Sequence, residues 1–94
     1  MTRMIEYTKK FRKDYKRELK IDKKKALPKL LLKVVEVLAN DKVLPRKYYD
    51  HALSGDWNGY RECHIKPDLL LVYGKPALDV LKLARLGSHS ELGF

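Results

Sequence analysis

The sequence GYRECHIKPDLLLVYGKPALDVLKLARL, residues 59–86, decides the fold. It contains three runs rich in aliphatic and aromatic side chains, Gly59 to Lys66, Leu69 to Gly74 and Ala77 to Leu86. Pro67-Asp68 separates the first two runs, and Gly74-Lys75-Pro76 separates the last two. Connections of this length form hairpins, so the pattern predicts a three-stranded antiparallel meander.

Two helices and a further strand are predicted upstream of the meander. Arg3 to Tyr7 alternates as a short strand. Thr8 is a candidate N-cap for a helix over Lys9 to Lys20, in which apolar residues recur at helical spacing. A second helix is predicted over Lys25 to Ala39, because Pro28 is tolerated only in a first turn. The predicted fold class is α+β, with order β-α-α-β-β-β and a mainly antiparallel four-stranded sheet.

Residues 41–58 connect the second helix to the meander and show no periodicity. Pro45, Ser54-Gly55 and Asn58-Gly59 favour turns, so we expect a long loop here. Loops of this length in a compact domain are often functional. The sequence contains no repeat, low-complexity segment or linker, and we therefore expect residues 1–94 to form a single domain.

The charge of the chain is positive and unevenly distributed. Lys and Arg number 21 against 12 Asp and Glu, a formal net charge of +9, and 16 of the basic residues lie within residues 1–47. Such an excess indicates a polyanionic partner or an acidic protein, although charged helical surfaces are also common without one. The lysines that we predict to contact RNA lie on the first helix: Lys9, Lys10, Lys13, Lys16 and Lys20.

The cysteine content and the N-terminus indicate a cytoplasmic protein. Cys63 is the only cysteine and cannot form an internal disulfide, which fits a reducing compartment. We expect its thiol to be buried, because it points away from the strand face that carries His64. The sequence shows no signal-peptide pattern and no apolar run of about 20 residues, so no membrane association is expected.

The three histidines are the candidate catalytic residues. His51, His64 and His89 each lie at or beyond the end of a predicted element. The meander would bring Asp68, in the first hairpin turn, close to Arg85 and His89 at the end of the last strand. Imidazoles suit proton transfer near neutral pH, and a guanidinium suits a phosphorane, so one interpretation is metal-free RNA cleavage. A metal site formed by the three histidines with Asp68 and a purely structural role remain alternatives.

Four motifs make the chain resemble the RelE/ParE toxin superfamily, and most closely its YafQ branch. They are Tyr49-Asp50-His51-Ala52-Leu53-Ser54-Gly55, Trp57 to Asp68, Leu70-Leu71-Val72-Tyr73, and Arg85-Leu86-Gly87-Ser88-His89-Ser90-Glu91-Leu92. The likeness extends over essentially the whole chain, including Tyr7 and the Lys13-Asp14 pair. It implies a RelE-like fold, with two N-terminal helices packed on one face of the sheet and the active site on the other.

The resemblance also implies an activity. A YafQ-like protein would be the toxin of a type II toxin–antitoxin pair, an endoribonuclease that cuts mRNA in the ribosomal A site and stops translation without a metal or other cofactor. The catalytic set carried over is His51, His64, Asp68 and His89, with Arg85 assisting at the phosphate. Phe94 would position the substrate, one residue later than the family pattern expects. The lysines of the first helix would then contact ribosomal RNA.

The partners implied are the ribosome with its mRNA and an acidic antitoxin that wraps the toxin and folds on binding. We expect a monomer when the toxin is free and a larger assembly with the antitoxin. Two alternatives of other classes remain at the level of sequence: a non-catalytic RNA- or ribosome-binding module, and a ParE-like toxin directed at gyrase.

Overall fold

A computed structural model describes residues 2–94. The first helix, α1, spans Lys9–Ile21 and begins where the sequence predicts, because the hydroxyl oxygen of Thr8 accepts a hydrogen bond from the Phe11 amide. The same hydroxyl donates to the carbonyl oxygen of Ala84 at 2.7 Å. Thr8 therefore caps α1 and ties its start to the sheet.

The second helix, α2, spans Leu27–Ala39, two residues shorter at its start than predicted, with Pro28 in its first turn. The connection from α1 is organised by Asp22, whose Oδ2 accepts a hydrogen bond from the Leu27 amide at 2.8 Å. Asn40 is the C-cap, as the sequence indicated. The buried face of α2 consists of Leu27, Leu31, Val34, Val35, Leu38 and Ala39.

The sheet has five strands, not the four predicted, in the spatial order β1-β5-β4-β3-β2. Their bounds are β1 Met4–Tyr7, β2 His51–Ala52, β3 Arg61–Lys66, β4 Leu69–Gly74 and β5 Val80–Gly87. The meander β3-β4-β5 is antiparallel as predicted, and β2 pairs antiparallel with β3. Strand β1 pairs in parallel with β5, so the sheet is mixed.

The differences from the predicted element order arise in segments too short to show a period. Strand β2 has two residues and lies in the stretch expected to be a loop, between 3₁₀ turns at Arg46–Tyr48 and Gly55–Trp57. A third helix, α3, spans only His89–Leu92 and was not predicted. Strand β5 begins at Val80, since a turn precedes it in which the Val80 amide donates to the Ala77 carbonyl.

Both long helices pack on one face of the sheet, as the family resemblance implies. Apolar residues of α1 and α2, Phe11 and Val34 among them, form one buried cluster with Cys63 and Ile65 of β3. Because side chains alternate along a strand, Glu62 and His64 point to the opposite face. Cys63 is fully buried, and burial raises the pKa of its thiol far above the usual range. The thiol is therefore packed and not nucleophilic.

Within residues 2–94, the helices are too short or too polar to cross a lipid bilayer.

We expect Thr8→Ala to lower the free energy of unfolding by about 1–2 kcal/mol, because both the cap of α1 and the hydrogen bond to Ala84 are lost. Thr8→Ser keeps both hydrogen bonds and should cost clearly less. Urea unfolding followed by circular dichroism measures both variants. Equal stability of Thr8→Ala and the wild type would show that this contact does not stabilise α1.

Candidate active site

His51 is oriented by two contacts. The β2–β3 register places it directly opposite Glu62, and its Nε2 lies 3.6 Å from Glu62 Oε1. Its Nδ1 lies 2.8 Å from the carbonyl oxygen of Tyr49. A carbonyl oxygen can only accept, so Nδ1 carries the proton in neutral His51, and Nε2 can donate to the Glu62 carboxylate only when the imidazole is doubly protonated.

His64 and His89 meet across the meander. Leu70 of β4 pairs with His64 on one side and with Gly87 on the other, which brings the end of β5 towards His64. Helix α3 follows at once, and His89 is its first residue. The two imidazole ring centroids are 5.7 Å apart. His64 is half-buried and His89 is exposed, so the pair is open to a ligand.

Asp68 lies beside His89, as the topology of the meander predicts. Its Oδ1 is 3.2 Å from His89 Nδ1 and 3.5 Å from the His89 backbone nitrogen. An ionised carboxylate only accepts, so this contact holds the proton of neutral His89 on Nδ1 and leaves Nε2 free. Asp68 is itself exposed, and solvent weakens the interaction without changing the orientation that it favours.

Three potential metal ligands converge, although not the set that the sequence suggested. One ligand atom each from Glu62, His64 and His89 lies within 4.8 Å of the other two. The sequence suggests His51 and Asp68 as ligands beside His64 and His89. In the structure the third ligand is instead Glu62, which is buried. Carboxylate and imidazole are suitable ligands for zinc or copper, so the donor set fits a divalent metal ion.

Arg85 is held by a buried carboxylate on α1. Its Nε and one terminal nitrogen donate to Asp14 at 2.7 and 3.2 Å. The sequence predicts that Arg85 lies close to Asp68, but in the structure its hydrogen bonds are to Asp14 instead. Burial disfavours the charge of Asp14, but hydrogen bonds from Arg85, the Leu86 amide and Arg17 outweigh it and lower its pKa. The other terminal nitrogen of Arg85 makes no hydrogen bond within residues 2–94 and can still donate to a ligand.

Arg17 connects the same carboxylate to the helix that carries His89. It donates to Asp14 and to the Leu86 carbonyl oxygen, each at 2.9 Å, and its Nε lies 2.9 Å from Glu91 Oε2. Glu91 in turn accepts from the Ser88 amide, which completes a capping box at the start of α3. Helix α3 is thereby fixed at its first turn although it has only four residues.

Gly87 permits this arrangement. A Cβ atom at Gly87 would lie 2.9 Å from the Arg17 guanidinium, which is closer than such contacts allow. A side chain at position 87 would have to displace the Arg17 guanidinium from the backbone that leads into α3.

The remaining predicted site residues lie on the surface. Phe94 packs edge-on against Trp57, with ring centroids 6.1 Å apart, and its amide donates to the His89 carbonyl oxygen. It therefore stands next to α3 with 41% of its surface exposed. The predicted RNA-binding lysines of α1 are all exposed: Lys9, Lys10, Lys13, Lys16 and Lys20.

Sequence reasoning missed Glu62, Tyr49 and Asp14 as residues of this site. Strand alternation over residues 59–66 puts Glu62 on the same side as His64, and this is a usable signal. Tyr49 and Asp14 show no structural signal beyond their place in the family resemblance, since their roles arise from a loop conformation and from a contact between residues 71 positions apart.

Comparison with known proteins establishes the family. Residues 3–93 match the family described as "Bacterial toxin of type II toxin-antitoxin system, YafQ". The chain belongs to the YafQ toxin family. The Escherichia coli "mRNA interferase toxin YafQ" is 38% identical over 90 residues, covering 96% of this chain and 95% of that protein.

Two solved structures of bacterial toxins share the fold. A toxin from Helicobacter pylori, described as metal-bound, has a TM-score of 0.84 and 52% identity, covering 98% of this chain and 99% of that chain. The E. coli DinJ–YafQ toxin–antitoxin complex contains a chain with a TM-score of 0.82 and 35% identity, with 98% coverage of both chains. The expectation of a YafQ-like toxin is confirmed.

Asp14→Asn should lower the free energy of unfolding at neutral pH by about 2–3 kcal/mol. The loss is smaller than for a fully buried ion pair, because Arg85 and Arg17 both reach solvent. The folded-state pKa of Asp14 is depressed, so its contribution is present above the unfolded pKa and is lost as pH falls through the folded one.

The stability difference between wild type and Asp14→Asn should therefore shrink below about pH 4. Denaturant unfolding at several pH values measures it, with Asp79→Asn, an exposed carboxylate, as the control. A difference that stays constant down to pH 2 would contradict the ionised, hydrogen-bonded state of Asp14.

Proposed function

We propose that this toxin is a ribosome-dependent endoribonuclease that cleaves mRNA in the A site and so stops translation. The observation that carries the proposal is the pair of accessible imidazoles, His64 and His89, 5.7 Å apart, with His89 oriented by Asp68. Family membership and the relative named an mRNA interferase support the same activity.

The chemistry proposed is attack by the ribose 2′-hydroxyl on the adjacent phosphorus. One imidazole takes the 2′-OH proton, the O2′–P bond forms, and the P–O5′ bond breaks as a second imidazole protonates the leaving oxygen. The products are a 2′,3′-cyclic phosphate and a 5′-hydroxyl. His51, His64 and His89 supply the base and the acid between them, and Asp68 keeps Nε2 of His89 available to the substrate.

The surrounding residues bind and orient the RNA. Arg85 can donate its free terminal nitrogen to the phosphorane while Asp14 holds the rest of the guanidinium. Phe94, exposed beside α3, stacks on a base. The exposed lysines of α1 contact ribosomal RNA: Lys9, Lys10, Lys13, Lys16 and Lys20.

The activity proposed is metal-independent, although Glu62, His64 and His89 could hold a metal ion and a relative is described as metal-bound. A bound ion would supply a Lewis acid for the phosphate. It would also occupy the imidazole nitrogens that the proposed proton transfers require, so cleavage by acid–base catalysis needs these side chains free.

The partner proposed is an acidic antitoxin. The net charge of +9 and the structural likeness to the toxin of a toxin–antitoxin complex support it. The free toxin would be a monomer that acts in the cytoplasm, where translating ribosomes are found, and the antitoxin-bound toxin would form a larger assembly.

Induced expression in a bacterial host should arrest growth and create new mRNA 5′ ends in frame with translation, and His89→Ala should remove both effects. Loss of a general acid or base lowers such rates about 10²–10⁴-fold. Ser90→Ala, an exposed neighbour in α3, is the control and should behave as wild type. Arrest without new 5′ ends would favour a gyrase-directed toxin or a ribosome-blocking module.

Purified toxin that has been stripped with a chelator, and then freed of it, should cleave mRNA on programmed ribosomes as fast as untreated toxin. The reason is that the proton transfers use free imidazoles. The metal content of both samples is measured by atomic emission. Loss of activity that zinc or copper restores would contradict the metal-independent mechanism.

A further inference from the structure

A cavity of about 510 Å³ adjoins the histidine site at His64. It lies between the 3₁₀ turn at Arg46–Tyr48 and the β3–β4 connection, and His64 forms part of its wall. Its volume falls in the range of small-molecule sites. No residue of this cavity other than His64 belongs to the catalytic set proposed above.

Tyr49 also lines this cavity and lies beside His64. Its ring centroid is 5.3 Å from that of His64, and 67% of its surface is exposed. Its backbone is left-handed, with φ 48° and ψ 41°, a conformation that bulky residues rarely adopt. Strained backbone of this kind concentrates at functional sites.

The fold itself does not account for the tyrosine ring. The backbone of Tyr49 donates to the Arg46 carbonyl oxygen and accepts from His51, and any residue could make both contacts. Asparagine or glycine would also fit the left-handed conformation with less strain. Tyr49 therefore offers a ligand an exposed aromatic ring that is carried on strained backbone beside a candidate catalytic imidazole.

The cavity lining combines apolar surface with two ammonium groups. Leu30, Ile65 and Pro67 supply the apolar part, and Lys47 and Lys66 the positive charge. Lys47 lies over the ring of Tyr48, and Lys66 is 3.4 Å from Asp22, a long contact that leaves its remaining donors free. An aromatic face with nearby ammonium groups matches a nucleobase joined to a phosphate.

We propose that this cavity binds one nucleotide of the RNA that flanks the scissile phosphate, with its base stacked on Tyr49 and its phosphate at Lys47 and Lys66. Tyr49 is thus a positioning residue that places the neighbouring ribose and phosphate at His64. The proposal rests on the proposed ribonuclease function, since it assigns a subsite to the same substrate. Stacking accepts any base, so the subsite contributes affinity more than sequence selectivity.

The test separates the ring of Tyr49 from its backbone. Tyr49→Asn keeps a residue that tolerates the left-handed conformation and removes the ring, whereas Tyr49→Trp restores a stacking surface. Binding is measured by amide NMR titration with 2′-O-methyl hexauridylate and hexaadenylate, which cannot be cleaved by 2′-OH attack. Tyr49→Asn should weaken binding about 5- to 150-fold, and Tyr49→Trp should bind as wild type.

Two further readouts exclude a merely structural effect. Tyr49→Asn should melt no lower than wild type, and on programmed ribosomes it should raise KM more than it lowers kcat. Lys47→Gln and Lys66→Gln should each reduce the salt dependence of oligonucleotide binding by about one charge, whereas Lys42→Gln, exposed and outside the cavity, should not.

The outcomes distinguish this proposal from the function on which it rests. Tyr49-dependent oligonucleotide binding in a protein that cleaves no mRNA would support the subsite and contradict the nuclease. Normal cleavage with unchanged KM and unchanged oligonucleotide affinity in Tyr49→Asn would overturn the subsite alone. Absence of any shift at the cavity residues of the wild type at millimolar oligonucleotide would also overturn it.

Discussion

The buried carboxylate of Asp14 is the contact on which the candidate site depends. It accepts hydrogen bonds from Arg85, from Arg17 and from the Leu86 amide, and so joins α1 to the end of β5. A buried charge is stable only when it is paired and hydrogen-bonded in this way. Because α3 begins directly after β5, the position of His89 follows from the same contact.

The two faces of the sheet have separate tasks. The face that carries Cys63 and Ile65 is covered by α1 and α2 and stabilises the fold through apolar burial. The opposite face carries Glu62, which is buried, and His64, which is half-buried and accessible to a substrate. Period-two alternation along β3 thus supplies core and site from one strand, and α3 adds the second imidazole without disturbing the core.

Much of this arrangement can be predicted from the sequence because it depends on local signals. The cap at Thr8, the helix with Pro28 in its first turn, and the meander around Pro67-Asp68 each follow from neighbouring residues. The approach of Asp68 to His89 follows from meander topology. The contacts within the meander depend only on strand direction and hairpin length, and the spacing of Pro and Gly in the sequence predicts both.

The rest could not be predicted for physical reasons. Strand β2 and helix α3 have two and four residues, too few to produce a hydrophobic period, and they form because neighbouring segments hold them. The Asp14–Arg85 pair joins side chains that only the folded chain brings together. For this reason the sequence predicts Arg85 beside Asp68, whereas in the structure Arg85 donates to Asp14 of α1. The strained conformation of Tyr49 likewise has no sequence signal, since tyrosine disfavours it.

The proposed function requires that imidazoles transfer the proton of a ribose 2′-hydroxyl during cleavage on the ribosome. The most direct measurement uses ribosomes programmed with an mRNA that carries a single 2′-deoxynucleotide at the scissile position of the A-site codon. Cleavage at that bond should fall to background, while an mRNA with the deoxynucleotide one codon upstream should be cut normally. Cleavage that persists at the deoxy position would contradict 2′-hydroxyl attack, and with it the role assigned to His64 and His89.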